Sequence, residues 1–444
     1  MKFKKYGQSV LALVVSLGLC LSLTSCTVDY TIAYLFVTGS EYNQIGAFKI
    51  ANNKGTLTAI QGSPFGSGGT NPIRDLISTT GRFLYVLNAG TEDTSDYTYS
   101  SSNIAVFSVG GDGTIATQQT YTSQGNGPIR FSLSSSGAFM YVLDQYAPIT
   151  DSAGTTLPSY STTYDATNYP CPDPTTAGIY HPVGDITAFS VNANTGRLSL
   201  ITNSQATNAD GTQLSYFPVG CNPVDFKVGA SYIYTVNENA VTGSNVYTTY
   251  IYAVNSSSGQ LTVSSSSPQT ISTNTSSNLT SINSDAASKY IYILDAGLDQ
   301  IDTYTVGTNG VLQAVSNSPF SNSQSAAGDP VQLTSDSKSK FLYVANDGPS
   351  STLGNASSDI SAYTIATNGV LASVSGAPFG TGSSPRCIIE DPSDQYIYTA
   401  DYTSSTVTGH VLDPNSGVLT DLVSKTSYAT VGNPTWCVAD SHTD

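Results

Sequence analysis

The chain has 444 residues, more than one ordinary hydrophobic core supports, so it holds either several domains or a repeat array. Charged residues make up only 10% of it, and 31 acidic against 15 basic side chains give a net charge of −16. Such a surface repels phosphate backbones and argues against nucleic-acid binding, and the abundance of Ser, Thr, Asn, Gly and Tyr suits a β-rich extracytoplasmic protein.

The first 25 residues read as a targeting segment. Lys2, Lys4 and Lys5 precede the apolar run "VLALVVSLGLCLSL", which is short for a membrane span of about 20 residues and suits a secretion signal. Leu23-Thr24-Ser25-Cys26 resembles the bacterial lipobox. That resemblance implies a diacylated Cys26 as the mature N-terminus, residues 26–32 as a lipidated linker, and attachment to the cell envelope without a spanning helix. The alternative is an ordinary signal peptide with an incidental cysteine. Thr27 stands where an aspartate would mark inner-membrane retention, so a periplasmic or outer-membrane location is expected. No D-x-[DN]-x-[DN]-G calcium loop follows, and "NADG" at 208–211 reads as a turn.

From residue 33 to residue 440 four elements recur in fixed order. The first is a strand opening on proline: Pro72 ("NPIRDLIS"), Pro128 ("GPIRFSLS"), Pro223 ("NPVDFKVG"), Pro330, Pro385 ("SPRCIIE") and Pro434 ("NPTWCVA"), with "SNLTSINS" as a copy that lacks it. The second is an apolar strand centred on Phe36, Tyr85, Tyr141, Tyr234, Tyr292, Tyr343 and Tyr398. The third alternates around Phe48, Phe107, Phe189, Tyr252, Tyr304, Tyr363 and His410. The fourth follows a turn glycine: Gly55, Gly113, Gly196, Gly259, Gly310, Gly369 or Gly417.

Short strands with turn signals between them, four per 49–58 residues, have the period of a propeller blade. The predicted fold is therefore all-β: a seven-bladed β-propeller with four antiparallel strands per blade. One interval is longer and holds an insertion at about 145–184. The N-terminus begins with a second strand and the C-terminus stops after a proline strand, so both ends are expected to complete one blade. That closure removes free sheet edges.

The stretches "GSPFGSGGTNPIRDLISTTGRFLYVLN" and "GAPFGTGSSPRCIIEDPSDQYIYTAD" resemble the seven-bladed β-propeller lactonases, related to bacterial 6-phosphogluconolactonases and YVTN-repeat proteins. The resemblance spans 33–440. It implies hydrolysis of a sugar-type lactone at the channel mouth, with no cofactor. YVTN-like propellers also serve as surface binding proteins, so a non-catalytic scaffold that recognises a glycan or a protein is the second reading.

In such a fold the start of the proline strand and the end of the second strand meet at one mouth of the central channel. Arg74, Arg130 and Arg386 fall just after their prolines and suit a carboxylate or phosphate of a small anionic or sugar-like ligand. Salt bridges between blades, with Asp75, Asp225 or Glu390, are the structural alternative. Long connections at about 89–102, 145–184, 238–248 and 347–358 are expected on the same face. Their tyrosines, including Tyr97, Tyr99, Tyr146, Tyr164 and Tyr180, suit sugars, a partner protein or packing within the loops.

The family resemblance implies an Arg-His pair after one proline and an Asn-Glu at the end of an adjacent strand. Asn237-Glu238 matches the latter, Glu238 as catalytic base and Asn237 as ligand contact. Arg386 matches the arginine, with Arg130 as a second oxyanion partner, yet Cys387 follows where histidine is expected. His181, at the end of the large insertion, is a candidate ligand residue able to swing over the channel. His410 fills an aromatic position of its repeat and reads as packing, and His442 lies in the tail. Three scattered histidines suggest no metal site. Four cysteines beyond the leader suggest disulfides: Cys171 with Cys221 first, and Cys387 with Cys437 at the ring closure, with buried free thiols as the alternative.

Overall fold

The computed structural model describes residues 30–241, 244–322, 328–348, 358–423 and 425–441. The leader, Cys26, most of the 26–32 linker, most of the 347–358 connection and His442 lie outside the described residues. Seven antiparallel sheets form the body, and two small hairpins accompany them. Numbered from the one that joins the termini, the innermost strands are Pro434–Ser441, Pro72–Ile77, Asn126–Leu133, Pro223–Val228, Leu279–Ser284, Pro330–Ser335 and Pro385–Glu390. Each touches its two neighbours around the ring.

The second strands explain the apolar runs in the sequence. In blade 2, Phe83–Asn88 is buried at every residue. Leu84 and Val86 pack against Tyr34, Phe36 and Ile45 of blade 1, while Phe83, Tyr85 and Leu87 pack against Met140, Val142 and Phe189 of blade 3. Period-2 alternation therefore sends successive side chains into two different cores, and both sides of the strand must be apolar. Seven such cores, one per blade junction, replace a single central one.

The repeated tyrosine also has a polar task. Tyr85, Tyr141, Tyr234, Tyr343 and Tyr398 each donate their hydroxyl to the carbonyl of a turn glycine in the next blade: Gly196, Gly259, Gly310, Gly417 and Gly55. Gly417 shows why glycine is required there. Its φ is +74°, and a Cβ would stand 2.4 Å from the Phe341 ring. In blade 5 the same hydroxyl, that of Tyr292, is buried without a partner among the described residues. Tyr343→Phe should thus cost about 1–2 kcal/mol, because the Gly417 carbonyl loses its donor. Tyr292→Phe should cost almost nothing, and urea melts of the two variants side by side check the contrast.

The ring closes as the termini suggested. Pro434–Ser441 pairs with Thr31–Gly39 in antiparallel register, from Ala33 opposite Ser441 to Gly39 opposite Pro434. Cys387 of blade 7 and Cys437 of blade 1 form a disulfide across the closure, and Cys171 and Cys221 form a second that ties the insertion to blade 4.

Two features differ from the sequence reading. A short fifth segment, such as Phe65–Gly66, Phe379–Gly380 or Ser427–Ala429, pairs with the third strand in five of the sheets, and in blade 4 Gln269–Ser272 pairs with Ser244–Thr249. The 238–248 connection is largely strand: Tyr232–Val241 and Ser244–Thr249 extend blade 4 outward with Asn237 opposite Thr248 and Glu238 opposite Tyr247. Consecutive Val, Tyr and Thr in "SNVYTT" supply the β-favouring residues for that extension.

Candidate functional site

Every innermost strand carries an irregularity just after its proline position, so that the residue two places on pairs next. This bulge re-aims one side chain per blade. The residues two places on are Trp436, Arg74, Arg130, Asp225, Ser281, Gln332 and Cys387 in blade order. Several stitch neighbouring blades together. Arg130 Nε lies 3.1 Å from Asp225 Oδ1, Asp225 Oδ2 accepts the Ile282 N–H at 3.2 Å, and Gln332 Oε1 accepts the Ile388 N–H at 3.0 Å.

Four of these residues, Trp436, Arg74, Arg130 and Gln332, help to enclose a cavity of about 430 Å³ at the mouth of the channel. Arg74, Arg130, Arg386, Gln332, Tyr402, Thr435 and Trp436 line it, with Ile73 and Val331. The three arginines thus converge from blades 2, 3 and 7. Arg74 is the most enclosed, its side chain 14% exposed against 27% for Arg130 and 41% for Arg386. Its guanidinium carbon sits 3.7 Å from the Trp436 ring centroid, and its Nε is buried without a partner among the described residues. Burial pushes the Arg74 pKa down to about 9, Arg130 adds to the push, and Asp225 and Asp75 oppose it. It is a cation at neutral pH.

Two carboxylates reach these cations. Asp225 serves Arg130, with Arg74 at 3.9 Å, and Asp347 holds Arg386 at 3.0 Å. Asp75 adds no partner: both its carboxyl oxygens are buried and unbonded among the described residues, and burial raises its pKa well above the ordinary value. Glu390 is spent elsewhere, accepting the Ser337 N–H at 2.6 Å. Three guanidiniums against two engaged carboxylates leave the cavity cationic, in a chain that is acidic overall. Of the two alternatives taken from the sequence, the inter-blade salt bridge is present, between Arg130 and Asp225.

Glu238 and Asn237 are placed differently from the arginines. Neither lines the cavity. Asn237 is fully buried and donates from Nδ2 to the Cys221 carbonyl at 3.3 Å. It stands opposite Pro223, as Asn88 stands opposite Pro72 and Asn346 opposite Pro330. The position is one of scaffold, and this corrects its assignment as a ligand contact. Glu238, one residue further, occupies in blade 4 the place of Asp347 in blade 6 and Tyr402 in blade 7, the latter on the cavity wall. Its carboxyl is half-buried, which raises its pKa, and it has no hydrogen-bond partner among the described residues.

His181 does not swing over the channel. It is fully buried, with Nε2 2.9 Å from Asp173 Oδ2 and Nδ1 2.9 Å from the Ser159 carbonyl. Its ring stacks on Tyr146 at 4.5 Å and meets the edge of Tyr97 at 4.8 Å. Both nitrogens are taken by acceptors inside the insertion, so the side chain fastens the loop to itself. Asn126 in turn holds this cover to blade 3, donating to the Tyr97 carbonyl and to Ser159 Oγ. Among the mouth-loop tyrosines, Tyr164 stays largely exposed. Among the described residues no three His, Cys, Asp or Glu side chains are grouped to hold a metal ion.

A family model described as lactonase, seven-bladed β-propeller, matches residues 27–149 and 312–439, more than half of the sequence. The chain belongs to this family. Among solved structures similar to this lactonase-family propeller is the periplasmic gluconolactonase PpgL of Pseudomonas aeruginosa, 14% identical, with a TM-score of 0.63 over 92% of this chain and 99% of that one. A candidate 6-phosphogluconolactonase from Bacteroides uniformis is 13% identical with a TM-score of 0.63, covering 92% of this chain and all of that one. A second candidate, from Bacteroides fragilis, is 15% identical with a TM-score of 0.62, over 92% and 98%. At these identities the likeness speaks for the fold. No curated protein sequence matches the chain.

Within the lactonase propeller, the cysteine that follows Arg386 is spent on the closure disulfide. Sequence reasoning passed over Trp436, Gln332 and Tyr402 as cavity residues. The signal was available for the first two: they share a column with Arg74 and Arg130, two residues after the proline.

The base of the insertion holds a buried acid pair. Asp144 stands directly opposite Asp185, and the Thr187 hydroxyl lies 3.3 and 3.4 Å from an oxygen of each. Burial pushes Asp144 up to about 7, and burial together with the Asp144 charge raises Asp185 well above the usual range. An acid whose pKa is raised by folding stabilises the fold below its unfolded value near 4, and that contribution is lost as pH rises through about 7. Asp185→Asn should therefore gain on the wild type by about 2–4 kcal/mol at pH 8 and little at pH 4.5, read from urea melts at the two pH values.

Proposed function

We propose that this protein is a lactone hydrolase of the cell envelope, acting on a sugar-type lactone at the channel mouth. The observation that carries the reading is the convergence of Arg74, Arg130 and Arg386 on one cavity, with Arg74 Nε buried and unpartnered among the described residues. Family membership and the gluconolactonase fold likeness support it. Water attack on a lactone carbonyl builds negative charge on one oxygen, and guanidiniums fixed beforehand stabilise that charge where solvent is scarce. Collapse of the tetrahedral intermediate breaks the ring C–O bond, the expelled ring oxygen takes back the proton that the base removed from water, and the hydroxy acid ionises to a carboxylate that the same arginines hold. Glu238, with its pKa raised, is the candidate base that takes the proton of water. Attachment through a lipid on Cys26 is part of the proposal.

Binding without turnover is the second reading, and one feature favours it: among the described residues no carboxylate or imidazole lines the arginine cavity itself. A surface glycan or a protein would then dock on the mouth loops. Lactone hydrolysis measured for the wild type, Arg74→Gln and Glu238→Gln separates the two. Loss of turnover in both variants supports the hydrolase, whereas ligand binding without turnover in the wild type supports the second reading.

A further inference from the structure

The innermost strand of blade 4 carries a second cation further along the same channel. Asp225 pairs with Arg130 of the arginine cavity, and two residues on, Lys227 faces a separate cavity of about 390 Å³. The ends, not the starts, of innermost strands line it: Ser132 in blade 3, Lys227 in blade 4, Asn283 and Ser284 in blade 5, Thr334 and Ser335 in blade 6. It therefore opens at the end of the channel away from the arginines. In the other blades the corresponding residues are Val438, Leu76, Ser132, Asn283, Thr334 and Ile389, so the lysine is specific to this blade.

The electrostatics of Lys227 are incomplete. Its Nζ donates to Asn283 Oδ1 at 2.7 Å, a neutral partner, and no carboxylate lies within ion-pair distance among the described residues. Two carboxylates send charge to it, and one of them, Asp285, shares the lining of the cavity. Asp225 holds Arg130 and the Ile282 N–H, and Asp285 Oδ1 accepts the N–H groups of Lys289 and Tyr290 at 2.7 Å each. Burial pushes the lysine down to about 8, with Asp225 and Asp285 opposing. The hydroxyls around it are loosely held. Ser132, Thr334 and Ser335 donate to carbonyls only at 3.4–3.5 Å, and each can turn to a better acceptor. A desolvated ammonium with two unused protons, ringed by rotatable hydroxyls, has no anion in ion-pair contact among the described residues.

We propose that this lower cavity is a binding site for a small oxyanion, a carboxylate, phosphate or sulfate group, held by the Lys227 ammonium and the hydroxyls of Ser132, Thr334 and Ser335. The site is independent of the arginine cavity and of the lactonase reading.

The test uses inorganic phosphate and isothermal titration of the full chain. In an Arg74→Gln background, which disables the upper cavity, phosphate should still bind in the millimolar range, and adding Lys227→Gln should weaken it at least tenfold. Lys227→Arg, which keeps the charge, should retain binding and shows whether Lys227→Gln fails only through misfolding. Phosphate should also slow acetylation of Lys227 at pH 8 without protecting the exposed Lys338. Equal affinity with and without Lys227, or no binding in the Arg74→Gln background, overturns the proposal and leaves the lactonase reading untouched. Loss of lactone turnover in Arg74→Gln with phosphate binding preserved would show the reverse separation.

Discussion

A chain shortened to residue 432 should fail to form a closed ring. The lost strand, Pro434–Ser441, is the innermost strand of blade 1 and pairs along the whole of Thr31–Gly39. With it go Cys437, whose disulfide reaches Cys387, and Trp436, against which Arg74 packs. Val438 leaves the core between blades 1 and 2, and Cys437 leaves the one between blades 7 and 1. Losing a buried strand and a cross-link together exceeds the about 5–15 kcal/mol by which domains are stable. The exposed edge of Thr31–Gly39 would then recruit other chains. Size-exclusion chromatography should show oligomers, and thermal melts should lose their cooperative transition. The milder pair of substitutions, Cys387→Ser with Cys437→Ser, keeps the strand and should cost about 2–5 kcal/mol. A monomeric truncated chain with the wild-type melting temperature would show that the ring closes by other contacts.

Arg74→Gln should weaken binding of a sugar acid, the hydrolysis product, by about 100-fold or more. A charge-assisted hydrogen bond in a desolvated site contributes more than a neutral one, and Arg74 is the most enclosed of the three arginines. Folding should survive, because Asp225 keeps Arg130 and the Ile282 N–H. Arg74→Lys keeps the charge but loses the planar fork over Trp436, so a loss nearer tenfold is expected. Arg386→Gln should cost less than Arg74→Gln, since Arg386 is 41% exposed and already paired with Asp347. Calorimetric titration of the four proteins checks the order. An Arg74→Gln protein that binds as tightly as the wild type would move the ligand away from this cavity.

The blades were legible in the sequence because one physical constraint is written seven times. A strand buried on both sides must be mostly apolar, and "FLYVLN" or "YIYTAD" says so without help from any other blade. The closure was legible because the strand order at the two ends is complementary. The site was only partly legible. In five of the seven blades a proline opens the innermost strand, and each of the three arginines follows a proline of its own innermost strand. The bulge behind the proline, which decides the direction of each side chain, leaves no mark in a single copy. Asn237 illustrates the limit: "NEN" matched a family pattern, yet the same column holds Asn88 and Asn346, residues given no part in a site. His181 illustrates another, since its loop position said nothing of Asp173 and Ser159, which bury it. Long-range partners of this kind arise from packing of the insertion on itself.

Turnover is the most direct test of the central claim that the arginine mouth hydrolyses lactones. Purified protein would be followed by pH-stat on a panel of sugar lactones, with and without phosphate groups, beside Arg74→Gln and Glu238→Gln. The account predicts acid release well above the spontaneous rate for at least one sugar lactone. It further predicts a drop of about 100-fold or more in Arg74→Gln, the size expected when an oxyanion partner is removed. Acid release at the spontaneous rate on every lactone by the wild type would contradict it.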